Sequence, residues 1–277
     1  MTEKKLYYEH SGTVGALGPL MVALLGLSAA VLTGAIYGYA LNYIPFIYLN
    51  FILTLVFGAA VGYAVGKGAK FGKIRSAKFT GLFGLVAGLL ALYVSWVSWI
   101  HAWSGQEILA SSFGETTDIM AAIAEEGAWS IFGMTPSGIG LYAIWAIEAV
   151  IIVGLASMVA AGSIATTPFC EACNCWVNKL KTVSGLTVVE DHGEMISQLE
   201  AADFSSLEAL KTDGSEQQFT KVDLLHCPGC NDFHSLTLTA VTVIVDEDGD
   251  TNEDEEEIVE NLLITAEDHK LLSGAWS

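Results

Sequence analysis

The stretch SIATTPFCEACNCW, residues 163–176, separates two parts of the chain that differ in composition. Upstream, residues 1–167 are mostly apolar and carry eight acids and seven bases. Downstream, residues 168–277 carry 23 acids and five bases and contain all five cysteines. The whole chain is 52% hydrophobic and only 16% charged, whereas ordinary soluble domains have about 25% charged residues. We therefore predict a membrane domain over 1–167 and a soluble acidic domain over 168–277.

Four upstream segments are long and apolar enough to cross a bilayer as helices, which takes about 20 residues each. They lie at about 16–41, 46–66, 79–101 and 139–163. This pattern predicts a multi-pass α-helical membrane protein with a four-helix bundle. The lipid bilayer would then surround the helices of residues 1–167.

The charges of the loops predict how the bundle is oriented. The loop over 66–79 holds five bases and no acid, whereas the loop over 102–138 holds five acids and no base. Lys and Arg are enriched in cytoplasmic loops. We therefore expect an inner-membrane protein with the basic loop and both termini in the cytoplasm. Anionic lipid is a second interpretation of the basic loop.

Small residues recur at four-residue spacing in these segments, a pattern that lets helix backbones approach closely. We expect them to pack the helices of one bundle, although the same pattern fits a homo-oligomer. The residues concerned are Gly34 and Gly38, then Gly58, Gly62 and Gly66, then Gly84 and Gly88.

Glu148 is the one acid inside a predicted span. At about 1.5 Å per residue it lies about 13 Å from the outer end of its segment. The same depth on the other segments reaches Thr33, Thr54 and Ser95, with Tyr93 also in range. We predict a polar layer in which hydroxyls hydrogen-bond to Glu148. Such a layer is either a clasp between helices or a relay for protons or ions.

The outer loop and its flanks carry two further patterns. Ile119, Met120 and Ile123 have helical spacing, which predicts an amphipathic helix over 116–127 with Thr116 or Thr117 as its cap. It would serve as a packing element or as a lid. Tryptophans near the outer boundary predict an interfacial aromatic belt, formed by Trp96, Trp99, Trp103, Trp129 and Trp145.

Two Cys-x-x-Cys pairs in the acidic part predict a metal centre. Cys170 and Cys173 form one pair, and Cys227 and Cys230 form the other. Two such pairs are typical of a structural Cys₄ zinc site, and cytoplasmic thiols are kept reduced. We expect one Zn²⁺ per chain, with Cys175 as an alternative to Cys173. A closed four-ligand site has no open position, so catalysis by this metal is not expected.

The second pair leads into residues 235–245, SLTLTAVTVIV, which predict a strand. A Cys-x-x-Cys that runs into a strand resembles the second knuckle of a zinc ribbon, and this resemblance covers about a tenth of the chain. Together with the strands and the helical segment predicted for residues 168–277, it indicates an α+β, β-hairpin-rich domain similar to a zinc ribbon. Asn231 departs from the usual ribbon Gly, although Asn tolerates left-handed geometry. His226 and His234 flank this pair, but four thiolates already complete a tetrahedral site.

The sequence of the acidic part also predicts other secondary-structure elements. Strands are predicted over 219–226 and 258–266, and a helical segment over 193–211. Residues 246–257 hold nine acids in twelve positions and are expected to form a solvated hairpin tip. Residues 227–230, Cys-Pro-Gly-Cys, also resemble the motif of dithiol oxidoreductases, so a thiol-redox site is an alternative. In those proteins the motif begins a helix, whereas here it precedes a predicted strand.

The charge of the acidic part and the absence of common enzyme motifs limit the functions that the sequence allows. A domain with 23 acids and five bases would be repelled by nucleic acid and by anionic lipid, which favours a protein partner with a basic surface. The sequence contains no Walker A loop, HExxH motif or serine nucleophile elbow, which favours a non-enzymatic role. The leading hypothesis is a membrane-anchored interaction or scaffold protein in a membrane complex. The alternatives are a small transporter or transport accessory that uses Glu148, and a membrane-tethered thiol-redox protein.

Overall fold

The computed structural model describes residues 5–44, 46–127, 135–177, 179–212, 215, 217–245 and 250–276. It divides the chain into two units. The helical unit is His10–Thr166, and the sheet unit is Thr167–Ser277 together with the N-terminal segment Met1–Glu9. The sequence had placed this segment with the helices. Within the sheet unit, however, Tyr7 forms a β-bridge with Leu262.

The helical unit contains five helices among its described residues: α1 (Gly18–Tyr43), α2 (Ile47–Phe71), α3 (Ala77–Trp103), α4 (Phe113–Glu126) and α5 (Gly138–Ala165). All but α4 are long and apolar enough to cross a membrane. Helix α2 continues five residues beyond the predicted 66, so Lys67 and Lys70 are helical and do not lie in a loop. Ser76 caps α3 by accepting a hydrogen bond from the Phe79 backbone N–H.

Glycines set the arrangement of the four long helices. Gly34 packs against the backbone of α3, where a Cβ would lie 2.7 Å from the Ala91 carbonyl oxygen. Gly62 packs against α5, where a Cβ would lie 2.6 Å from the Ala156 carbonyl oxygen. Successive glycines meet successive turns of the partner helix, so α1 runs parallel to α3 and α2 parallel to α5. Each of these parallel pairs packs against the other, and the three glycine series all face helices of the same chain.

Helix α4 lies over the C-terminal end of α3 and the N-terminal end of α5. Ile123 and Ala124 pack with Leu141 and Trp145, and several aromatic and apolar side chains surround them, namely Trp96, Trp99, Ile119 and Met120. The predicted amphipathic helix is therefore present. Its cap is Ser112, which accepts a hydrogen bond from the Glu115 backbone N–H, and not Thr116 or Thr117. Trp129 lies outside the described residues.

The sheet unit is built from short β1 (Phe169–Cys170) and β2 (Cys175–Trp176), and from β3 (Lys179–Leu186), β4 (Gln218–His226), β5 (His234–Val245) and β6 (Thr251–Leu263). Strands β1 and β2 pair with each other, and the others form an antiparallel sheet in the order β3-β4-β5-β6. Helices α6 (His192–Glu200), α7 (Ser205–Glu208) and α8 (Ala266–Ala275) complete the unit. The core includes the fully buried Leu186, Leu207, Leu224, Leu236, Leu238 and Leu262.

Three features of this unit differ from expectation. The acidic run is not a loop from Thr251 onward, because β6 pairs with β5 from Val245↔Thr251 to Thr239↔Glu257. The β-branched residues at the end of β5 extend the ladder, and the carboxylates stay in water on an edge strand. The predicted helical segment is split into α6 and α7, with Ala202 between them at φ 60°. Residues 264–266 leave the sheet because Thr265 and Asp268 form a capping box for α8.

Candidate metal centre

Two turns bring the cysteines together. Cys170 ends β1 and pairs with Cys175, which begins β2, so Cys173 lies in the tight turn between them. Asn174 adopts a left-handed conformation in that turn, at φ 51°. The second turn joins β4 to β5 and holds Cys227 and Cys230, and the Cys227 N–H donates to the Phe233 carbonyl at 3.0 Å.

The ligand atoms of Cys170, Cys173, Cys227 and Cys230 all lie within 4.8 Å of one another. The Sγ atoms of Cys170 and Cys230 are 3.5 Å apart. A tetrahedral zinc ion with Zn–S bonds of about 2.3 Å places its sulfurs about 3.8 Å apart. The four cysteines expected from the sequence are thus in one cluster of a size that can hold a metal ion.

Cys175 lies at the edge of this cluster. Its Sγ is 3.8 Å from that of Cys227, but it does not belong to the set in which every ligand atom is within 4.8 Å of every other. The arrangement therefore favours Cys173 as the fourth ligand. His226 and His234, which flank the second turn, are also outside this set.

Gly229 lets the two turns approach each other. A Cβ at this position would lie 3.1 Å from the Cys173 Sγ and 4.0 Å from the Cys227 Sγ. Asn231, by contrast, is not among the described residues with positive φ. Left-handed geometry, which the sequence allows at Asn231, is instead adopted by Asn174 of the first turn.

The thiols of the cluster influence one another's ionisation. Burial raises the pKa of Cys170 to about 11. Burial also opposes ionisation of Cys227, but the Gly229 N–H and hydrogen bonds from neighbouring thiols lower its pKa to about 7. The pKa of Cys173 is raised, first by its hydrogen bond to Cys230. One thiolate is therefore easily formed, whereas four together require a cation among them.

An aromatic shell supports the two turns. The ring of Tyr8 packs edge-on against Phe233 with centroids 5.4 Å apart, and its hydroxyl accepts a hydrogen bond from the Phe169 N–H at 2.9 Å. Phe169 in turn packs edge-on against Trp176. Sequence reasoning missed Tyr8, because nothing near the polar N-terminus signals a partner more than 150 residues away.

Glu148 forms a separate polar cluster in the helical unit. Its Oε1 accepts a hydrogen bond from the Tyr37 hydroxyl at 2.6 Å. The same hydroxyl lies 2.7 Å from the Thr54 Oγ1, and the Tyr37 ring stacks on Phe57. The cluster joins α1, α2 and α5. Sequence reasoning had identified Thr54 and missed Tyr37, which lies about one helical turn after the predicted Thr33 on α1.

The other residues expected in this layer bond elsewhere. Thr33 donates to the carbonyl of Ala29 on its own helix, and Ser95 donates to the carbonyl of Leu92 in the same way. Tyr93 donates to the Ser111 carbonyl. Of the hydroxyls expected around Glu148, the described contacts therefore bring only that of Thr54 into its cluster.

The described residues thus contain one thiol cluster built by two turns of the sheet unit and one carboxyl cluster built by three helices. The first has the ligand chemistry of a metal centre, whereas the second has no ligand set of comparable size. Comparison with protein-family models, with curated proteins and with solved structures finds no match for this chain.

Proposed function

We propose that this chain is an integral membrane protein that holds a zinc-stapled acidic sheet unit in the cytoplasm, where it binds a protein partner with a basic surface. It would act as an interaction or scaffold component of a membrane complex. The observation that carries the proposal is the position of the acidic run, which forms an edge strand of the sheet.

The surface of the helical unit supports insertion in a membrane. Large apolar side chains point outward from the long helices; Ile36 is 70% exposed and Val150 is 72% exposed. Contiguous apolar surface of this kind is stable in lipid and not in water. Helix ends support the orientation, because α2 and α5 run parallel and α5 therefore ends on the side of the basic residues that follow Gly66. With the basic end cytoplasmic, the C-terminal end of α5, which precedes the sheet unit in the sequence, is cytoplasmic as well.

The charge of the edge strand β6 supports the proposal of a partner with a basic surface. In β6, residues 253–257 are all acidic and exposed, and β5 is their one strand neighbour among the described residues. Successive side chains of a strand point to opposite faces, so both faces of this edge are negative. Lys221 forms an ion pair with Glu255 at 2.6 Å. Desolvation, followed by the charges of the neighbouring Glu260 and Glu255, raises the pKa of Glu257.

An open strand edge can accept a strand from another protein through its backbone groups. Here the carboxylates disfavour neutral or acidic strands and favour an extended segment rich in Lys or Arg. Among the described residues of the N-terminal segment, pairing with β6 is near its end, where Tyr7 bridges Leu262 and the Tyr8 N–H donates to the Asn261 carbonyl. The occupant we propose for the acidic part of the edge is therefore a basic extended segment of a protein partner.

The test measures binding of a fluorescent Lys-Val repeat peptide to the full-length protein in detergent, with a Glu-Val repeat as the negative probe. The variant E253Q/D254N/E255Q/E256Q should weaken Lys-Val binding at least tenfold. The matched control E115Q/D118N/E125Q/E126Q removes four exposed acids from α4 and should not change it. If both variants lost the same affinity for the Lys-Val peptide, binding would depend on net charge alone. That result would contradict a specific site at the β6 edge.

A second candidate function, transport, is favoured by the Glu148 cluster. A carboxyl held by Tyr37 and Thr54 between three helices is the kind of group that relays protons in membrane proteins. The same contacts also suit a clasp that fixes the helices. Proton flux through proteoliposomes separates the two roles, as described in the Discussion.

A further inference from the structure

Three histidines of the sheet unit lie against one another beside the second cysteine turn. His226 and His234 are the last pair in the register of β4 and β5, and their ring centroids are 6.3 Å apart. His269 extends from α8, with its ring 5.0 Å from that of His226 and 4.9 Å from that of His234. Three separate elements thus bring three imidazoles into one group.

Nitrogens of this group lack partners. Among the described residues, the buried His226 Nδ1 and His269 Nε2 form no hydrogen bond. The other ring nitrogen of His269, Nδ1, lies 3.5 Å from the Ser273 hydroxyl, which leaves Nε2 available. A neutral ring keeps the electron pair that a metal ion requires.

We propose that His226, His234 and His269 form a second metal site, separate from the cysteine centre, for a divalent transition-metal ion such as Zn²⁺. Imidazole nitrogen is a preferred ligand for such ions. Metal–nitrogen bonds of about 2.0–2.1 Å place the centres of rings around one ion about 5 Å apart. Two of the three separations match this value, and the strand-borne rings must lean together to close the third.

Occupation of the site requires the rings to turn. Only the cysteine set, among the described residues, already has its ligand atoms within 4.8 Å of one another. The outer torsion of histidine is broad, so the rings can redirect their nitrogens without a change in the backbone. Three protein ligands leave a fourth position for water or a partner's side chain, unlike the closed Cys₄ centre.

The histidine site should bind metal more weakly than the cysteine centre. Lys181 donates to the Ser273 carbonyl, and its charge acts on His269. A nearby ammonium opposes a bound cation, and neutral imidazoles contribute no negative charge, whereas thiolates do. A mild chelator should therefore remove the ion of the histidine site first.

Cobalt separates the two sites by their spectra. In the full-length protein in detergent, Co²⁺ bound to thiolates gives an intense charge-transfer band, and Co²⁺ bound to imidazoles gives only weak visible bands. We expect two equivalents of Co²⁺ in the wild type, of which the tighter gives the thiolate band. His269→Ala should bind one equivalent and keep this band unchanged. The control His192→Ala, on α6, should bind two.

The proposal would be overturned if the wild type bound only one equivalent of Co²⁺. It would also be overturned if the folded His269→Ala variant still bound two equivalents. The thiolate band reports whether the cysteine turns are folded in each variant, so a misfolded His269→Ala is recognised and replaced by His269→Gln. Loss of the thiolate band in the wild type would instead contradict the cysteine centre, so the two sites fail separately.

Discussion

The Sγ atoms of Cys170 and Cys230 lie 3.5 Å apart although 60 residues separate the two cysteines in the chain. The first ends β1, and the second lies in the turn between β4 and β5. A metal ion held at this point would link the start of the sheet unit to its central hairpin. Because small acidic domains have thin cores, such a link contributes directly to folding.

Removal of one ligand should therefore unfold the sheet unit. Cys230→Ser is expected to lose the thiolate-bound metal and to lower the melting temperature of the sheet unit by more than 10 °C, since structural zinc sites contribute several kcal/mol or more to folding. Cobalt absorption and circular dichroism of the full-length protein measure both effects. Cys175→Ser is the matched control and should keep the metal. A metal-free protein with a reversible Cys227–Cys230 disulfide would instead favour the thiol-redox hypothesis.

Gly229 should be required for tight metal binding. In Gly229→Ala the new Cβ would lie 3.1 Å from the Cys173 Sγ, which displaces one ligand. We expect zinc affinity to fall about tenfold, or about 1.4 kcal/mol, measured by competition with a chromophoric chelator. Gly274→Ala on α8 meets no atom within 4 Å and should bind zinc as the wild type does. Unchanged affinity in Gly229→Ala would argue that the two turns do not share one ion.

Gly62 should be required for packing of the helical unit. A Cβ there would lie 2.6 Å from the Ala156 carbonyl oxygen, so Gly62→Val should destabilise the unit by about 1–3 kcal/mol through overpacking. Gly154→Ala on α5 meets no atom within 4 Å and should not destabilise it, because Ala favours helix over Gly. Thermal unfolding in detergent gives the comparison. Equal melting temperatures for the two variants would show that α2 and α5 do not pack in this way.

The Glu148 cluster distinguishes a clasp from a relay. Tyr37→Phe removes the hydroxyl that contacts both Glu148 and Thr54 and should destabilise the helical unit by about 1–2 kcal/mol. Glu148→Gln keeps an acceptor oxygen and should be much less destabilising. If Glu148 relays protons, the same Gln variant should abolish proton flux in proteoliposomes. Full flux in Glu148→Gln would exclude the relay.

Tyr7 should make the sheet unit sensitive to alkaline pH. Its hydroxyl donates to Glu200 at 2.7 Å, and burial, followed by this hydrogen bond, raises its pKa to about 12. A folded-state pKa above the unfolded value of about 10 stabilises the fold below pH 10. That stability is lost as the pH rises from about 10 to 12. The melting temperature of the wild type should fall over this range more than that of Tyr7→Phe, and parallel curves would contradict the contact.

The amino-acid sequence alone predicts the long helices and the residues of the cysteine cluster. Uninterrupted apolar runs of about 20 residues have one common solution, a helix that pairs all its backbone groups internally, and four helices of this kind are present. Two Cys-x-x-Cys pairs are equally local, because each spacing already directs two thiols to one point. Strands β4 and β5 follow from alternation in the same way.

Features that depend on partners distant in the chain are visible only in the tertiary structure. Residues 253–257 are all acidic, a composition that disfavours a strand. They nevertheless form one, because β5 provides their hydrogen-bonding partners. Tyr37 reaches Glu148 because α1 packs beside α2 and α5, and Tyr8 reaches the cysteine turns across most of the chain. His226, His234 and His269 meet only because α8 packs on the end of the β4–β5 hairpin. Local patterns specify a helix, a strand or a turn, whereas contacts between them arise from packing that no single segment encodes.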